Sequence, residues 1–224
     1  GFWVAYVNVP AFIATLAGLL TFRGLTIVVL DGKTIASYPN IFQSIGSGFI
    51  PDLFNENLHI ITLIIGAVIT AGYVFMSWTD RNKNQKLGAE IEPKFKFLSK
   101  IIIFSLAIIW ITYILASYEG IPNVLIIVVV FALVAKYITS RTTVGRHLYA
   151  IGGNEKAAAL SGIDTKKVKF WTFAFMGFMA AVAGLIFSAR LNAASASAGD
   201  GFELDAIAAC YIGGASTSGG IGTV

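Results

Sequence analysis

The chain has 224 residues, 56% of them hydrophobic and 12% charged, roughly half the charged share of a soluble globular domain. One soluble core cannot hide that much apolar surface, and Lys, Arg, Asp and Glu gather in gaps between apolar stretches of around twenty residues, which is the pattern of a bilayer protein. The net charge of +4 sits in residues flanking those stretches and forms no free-standing basic patch, so it reads as a topology signal and excludes nucleic acid as a partner.

The opening GFWVAYVNVP lacks the basic region of a secretory signal and leads into a full-length apolar segment. Five segments are long enough to cross roughly 30 Å of hydrocarbon at about 1.5 Å per helical residue. They are Pro10 to Leu30, Leu58 to Trp78, Leu98 to Ser117, Ile121 to Thr139 and Val168 to Ala189. Pro10 suits a helix start, because a proline in the first turn loses no intrahelical bond. A weaker sixth segment, Phe202 to Ile212, dissolves into glycine and is too short to span by itself, which leaves a half-helix, a re-entrant piece or a truncated span open. The expected fold is an all-α polytopic transmembrane helix bundle of five full spans and a partial sixth.

Loop charge assigns sides, because cytoplasmic loops are enriched in Lys and Arg and each span switches sides. The loop after the second segment carries Arg81, Lys83, Lys86, Lys94 and Lys96, and the loop at 140–167 carries Arg141, Arg146, Lys156, Lys166 and Lys167. Both are expected in the cytoplasm. The intervening stretches are acidic or sparse: Asp31, Asp52 and Glu56 against Lys33; then Glu119; then Asp200, Glu203 and Asp205 against Arg190. The alternation closes, and the first span is expected to run outward.

Arg23 lies inside the first span, where an arginine costs about 2.5–3.5 kcal/mol on insertion scales and should face protein or water. One reading sets it beside a permeation pathway or gate, bonded to backbone carbonyls; the other lets it snorkel to the outer interface. In the fifth span Ala174, Gly177, Ala181 and Gly184 recur at helical spacing, a small-residue stripe that lets another helix approach closely. In the 140–167 loop, Asn154 can cap a helix from Glu155 to Ser161 that Gly162 stops. A two-turn helix is marginal alone and needs something to pack on, so it is either an interfacial connector or a docking element.

Other chemistry finds no support. The closing GGASTSGGIGTV has Gly220 and Ile221 where a phosphate loop needs Lys and then Ser or Thr, so ATP hydrolysis is not expected of this chain. Cys210 is the sole cysteine, which excludes an internal disulfide framework and a cysteine-cluster metal site. His59 and His147 fall on opposite sides of the membrane and cannot share a metal, and Glu203 with Asp205 suits the first turn of a helix better than acid–base work. No cofactor is expected.

GRHLYAIGGNEKAAALSGI, AGLIFSARLNAASASAGDGFELDAIAACYIGGASTSGGIGTV and PAFIATLAGLLTFRGL together resemble the permease subunits of bacterial ATP-binding-cassette (ABC) sugar importers that serve ribose, galactose, arabinose and xylose. NVPAFIATLAGLLTFRGLTIVVLDGKTI and the long basic loop after the second span look most like the members that carry xylose. The resemblance implies an inner-membrane permease paired with a second copy, an ABC ATPase subunit on the cytoplasmic side and a periplasmic sugar-binding protein. It also implies that Gly153, Asn154, Glu155, Ala157, Ala158 and Gly162 belong to the helix that couples to the ATPase. Permeases of this group are longer, with further spans at both ends, so the chain is expected to be a portion of one. An ion-gradient-driven transporter or channel is the alternative; such proteins place coupling charges at mid-membrane, and here Arg23 stands alone there.

Overall fold

The computed structural model describes residues 1–51, 59–86, 93–216 and 219–222. Leu58, the expected first residue of the second span, lies outside them, as do Asp52, Glu56, Thr217 and Ser218. In chain order the elements are α1 (Phe2–Ala5), α2 (Ala11–Leu30), β1 (Ile35–Ala36), α3 (Asn40–Ser47), α4 (Ile60–Lys86), α5 (Lys94–Ser117), α6 (Asn123–Arg141), α7 (Thr143–Gly153), α8 (Glu155–Leu160), α9 (Thr165–Leu191), β2 (Ala193–Ala194) and α10 (Phe202–Ile212). Among the described residues five helices are long and apolar enough to cross a membrane: α2, α4, α5, α6 and α9. The chain is an all-α, polytopic membrane protein.

Surface area supports the same conclusion. The chain exposes 16349 Å², whereas a soluble globular protein of 23.9 kDa exposes about 10,000 Å². Phe12, Phe22, Val28, Phe75, Phe95 and Trp110 are among many large apolar side chains left open. Hydrocarbon, not water, is the solvent that makes such a surface stable.

Local sequence sets the helix limits. Pro10 and Pro93 stand just before α2 and α5 with φ near −50° and ψ of 130° and 139°, since the proline ring fixes φ and lacks the N–H a helix interior needs. α5 therefore begins at Lys94, ahead of the expected Leu98, with Lys94 and Lys96 in its first turn, where long basic side chains reach the interface. α6 starts at Asn123, two residues later than expected, because Pro122 bridges Phe49 and Ile50 N–H donates to Ile121 O at 3.1 Å. Thr15, Thr21, Thr26 and Thr172 each donate to the carbonyl four residues back at 2.8–2.9 Å, so their hydroxyls need no partner from lipid.

The chain forms two compact units, Gly48–Asn123 and the combined Gly1–Ser47 and Val124–Val224. The first is built on the α4–α5 pair. Gly66 lets these helices meet, since a Cβ there would collide with the Thr112 side chain. Gly120, at φ +90°, turns the chain after α5 in a space bounded by His59 and Thr62. Arg81 lies 4.3 Å over the Phe97 ring, a cation–π contact at the basic end of the pair.

In the larger unit, α9 is the organising element. α1 packs on its N-terminal half, with Gly1 against Phe170 and Phe173 and the Tyr6 and Phe170 rings 6.0 Å apart. β1 and β2 pair antiparallel just beyond the C-terminal ends of α2 and α9, with Ile35 opposite Ala194 and Ala36 opposite Ala193. α2 and α9 therefore share both ends and run in the same direction. α6 leads into α7 and α8, which pack near the start of α9, and so runs opposite to them. α3 lies across the far end of α9, where Gly46 is buried: a Cβ there would collide with Arg190 N and the Ile186 and Ala189 backbone. Neither α3 nor α7 is expected from the sequence, and both are amphipathic helices shorter than a span.

Candidate functional site

Two regions gather the residues singled out in the sequence. The first is the corner where α7, α8 and α9 meet. Thr142 Oγ1 accepts from Gly145 N at 3.4 Å and starts α7, and Gly145 is buried against the Thr139 backbone with no room for a Cβ. At the other end Asn154 serves two helices. Its N–H donates to Ala150 O at 3.0 Å and closes α7, while its side-chain oxygen accepts from Ala157 N at 3.0 Å and opens α8. Asparagine suits this because a short carbonyl side chain satisfies an otherwise orphaned first-turn donor. Gly153 is the last residue of α7.

α8 ends as the sequence leads one to expect. Gly162 takes φ +85°, its N–H donates to Ala159 O at 3.0 Å, and Ile163 N–H donates to Ala158 O at 3.1 Å. A left-handed residue at this position favours glycine. Asp164 then accepts from Lys167 N at 3.1 Å and starts α9 three residues ahead of the expected Val168. α7 and α8 thus join through Asn154 alone, and the four residues from Ser161 to Asp164 join α8 to α9.

The faces of α8 are distinct. Ala158 is 5% exposed and packs inward. Lys169 Nζ donates to both oxygens of Glu155, at 2.6 and 2.7 Å, tying α8 to the second turn of α9. Leu160 points the other way and is 91% exposed. Of the residues expected to couple, Glu155 and Ala158 thus hold the helix to its own chain, whereas Leu160 and Lys169 were not singled out. Leu160 could have been found as the apolar residue beside the stop signal of a short helix; Lys169 could not, since nothing in the sequence pairs it with Glu155.

At the same corner, α7 carries the glycine-rich tail. A Cβ on Gly152 would collide with Gly220 N, Gly219 and Gly220 hold φ of +83° and +74°, and Tyr149 Oη donates to Gly222 O at 2.6 Å. The tail glycines permit backbone-to-backbone contact rather than a phosphate cradle.

The second region is Arg23. Its guanidinium donates to Asp200 Oδ1 at 2.6 Å, and the two side chains are 36% and 61% exposed. Asp200 belongs to the turns between β2 and α10, bracketed by Gly199 and Gly201 at φ +74° and +84°. The sequence offers Arg23 backbone carbonyls or the interface; the structure joins it to the Asp200 carboxylate instead. The small-residue stripe of α9 is open: Ala174, Gly177, Ala181 and Gly184 are exposed, and a Cβ on Gly177 or Gly184 would meet nothing within 4 Å. A cavity of about 310 Å³ lies between Met176 of α9 and Ala206, Ile207, Cys210 and Tyr211 of α10.

Comparison with known proteins fits this architecture. Residues 48–224 match the family model for the permease component of the branched-chain amino acid transport system. The chain is 43% identical, over its whole length, to the xylose transport system permease protein XylH of Haemophilus influenzae, covering 58% of that protein. It is 39% identical to XylH of Escherichia coli, covering 55% of it, and 35% identical to the ribose import permease protein RbsC of Haemophilus influenzae, covering 50%. The chain thus spans a little over half the length of the xylose permeases it matches. No solved structure matches it. With a family model covering most of its length and five helices fit to span, the chain belongs to the permease component family of the branched-chain amino acid transport system and is a multi-pass inner-membrane protein.

Proposed function

We propose that the chain is a portion of the membrane-spanning subunit of an ABC importer that moves a monosaccharide, D-xylose, into the bacterial cytoplasm. The observation that carries this reading is the likeness to XylH, which runs over the entire chain at 43% identity and exceeds the 35% to the ribose permease. ATP hydrolysis belongs to a separate cytoplasmic subunit, a periplasmic binding protein delivers the sugar, and a second permease copy completes the pathway.

Within this reading the α7–α8–α9 corner is cytoplasmic and meets the ATPase. Gly153, Asn154, Ala157 and Gly162 shape and cap α8, Glu155 and Ala158 fasten it to α9, and the large apolar side chain it leaves open is Leu160. Arg23 and its partner Asp200 border the pathway toward the opposite face. The stripe of Ala174, Gly177, Ala181 and Gly184 receives another helix of the assembled bundle, where close backbone approach replaces the missing hydrophobic drive. The test is uptake of a panel of labelled pentoses and hexoses by vesicles holding the complete importer. Uptake of xylose in preference to ribose, galactose and arabinose supports the reading, and preferential uptake of another sugar overturns the choice of substrate.

A further inference from the structure

The chain beyond α9 makes a crossing that is only partly helical. β2 lies beside β1 at the C-terminal ends of α2 and α9. Residues 219–222 lie instead against Tyr149 and Gly152 of α7, at the end where Glu155 holds Lys169 near the start of α9. The return path therefore traverses the thickness that α9 traverses. Among the described residues of this path the one helix, α10, has 11 residues and covers roughly 16 Å, about half of a hydrocarbon core. Turns occupy residues 196–201 instead of helix.

Those turns reach into the depth of α2. Arg23 stands seven residues before the last residue of α2, Leu30, so its backbone lies roughly 10 Å inside that end at 1.5 Å per residue. Side chains on a helix lean toward its N terminus, which here is away from the β1–β2 end. The Arg23–Asp200 contact at 2.6 Å thus draws the turns inward. Non-helical backbone at that depth leaves N–H and C=O groups that hydrocarbon cannot satisfy, and it persists only against protein or water.

A second, independent observation concerns the side chains. Arg23 and Asp200 are 36% and 61% exposed, so the pair is not sealed under the chain's own atoms. Ser195 and Ser197 stand in the same stretch, with their hydroxyls 3.5 Å apart. A guanidinium donates, a carboxylate accepts, hydroxyls do both, and the two charges cancel. Such a set suits a solute with many hydroxyls and no charge.

We propose that this break in the sixth crossing lines the solute path, and that Arg23, Asp200, Ser195 and Ser197 form a polar station for the hydroxyls of a neutral monosaccharide. The station rests on the sugar-importer reading for its substrate class, whereas the opening of the pair beyond the chain's own atoms does not. Asp200 accepts from sugar hydroxyls while Arg23 holds it in place and donates to sugar oxygens.

The full-length importer, carrying Cys210→Ala and no other thiol, would receive Ser195→Cys, Ser197→Cys or Asp200→Cys singly and be reconstituted in vesicles with its ATPase and binding protein. A charged, membrane-impermeant thiol reagent is expected to label at least two of the three positions, and saturating D-xylose to slow that labelling several-fold. No labelling at any position, in an importer that still inserts and binds ATPase, overturns the proposal because the break then faces lipid or protein. Labelling at a rate no monosaccharide alters also overturns it. Protection by a monosaccharide other than xylose upholds the station and overturns only the choice of sugar.

Discussion

Arg23, inside the first membrane helix, and Asp200, 177 positions later, meet at 2.6 Å. An arginine at this depth needs either water or an acceptor, and Asp200 supplies the acceptor. Arg23→Asp or Asp200→Arg alone leaves two like charges facing each other. Each is expected to lower sugar uptake on the order of tenfold, the factor that about 1.4 kcal/mol represents. The double exchange, Arg23→Asp with Asp200→Arg, restores much of the loss. Uptake rates for the wild type, both single variants and the double variant check this; a double variant no better than the worse single variant contradicts the pairing.

The Glu155–Lys169 contact predicts a separable defect. Glu155→Lys repels Lys169 and frees a six-residue helix that is too short to hold itself. ATP hydrolysis should continue while sugar moved per ATP falls several-fold, and adding Lys169→Glu should recover the ratio. Paired measurement of phosphate release and labelled sugar uptake separates this from a simple loss of assembly.

The two faces of α8 predict opposite failures. Ala158 is 5% exposed, and Ala158→Phe forces a large side chain into an occupied space at a cost of about 1–3 kcal/mol. It should lower thermal stability in detergent. Leu160 is 91% exposed, so Leu160→Asp should leave stability unchanged. It should nevertheless weaken co-purification of the ATPase, since a fully buried leucine contributes about 1.5–3 kcal/mol to whatever buries it. Unaltered co-purification with Leu160→Asp removes α8 from the ATPase interface.

Asn154 and Gly46 test the scaffold. Asn154→Ala removes the cap on Ala157 N and is expected to cost about 1 kcal/mol, with Asn154→Asp retaining most of it. Gly46→Val has no room beside Arg190 and Ile186, so α3 must lift from α9. Both should appear as lowered melting temperatures of the purified protein, with Gly46→Val the larger drop.

Span by span, the fold was legible because bilayer thickness imposes a length and a composition that any twenty-residue apolar run displays. The sixth segment, Phe202 to Ile212, has the limits the sequence suggested, since glycines bracket it. α7 was hidden because Gly145, Gly152 and Gly153 interrupt its pattern, although Thr142 and the apolar Val144, Leu148 and Ile151 carry a helix signal. α3 was hidden in the same way, as NIFQSIGS is short and half polar.

Capping was legible at Asn154 and Gly162 because it acts over three or four residues. Ion pairing was not. Glu155 finds Lys169 fourteen positions on, and Arg23 finds Asp200 across most of the chain, distances at which charge pattern alone cannot choose among candidates. The sequence counts Asp200 only in the charge balance of its loop, and β1–β2 pairing together with the Gly199 and Gly201 turns brings it to Arg23.

The most direct test of the account is uptake of labelled D-xylose by sealed vesicles holding the full-length permease, its ATPase and its binding protein, with ATP on the cytoplasmic side and no ion gradient. Accumulation that requires both hydrolysable ATP and the binding protein is the predicted result. Accumulation driven by a proton or sodium gradient without ATP, or none of any monosaccharide under either condition, would contradict it.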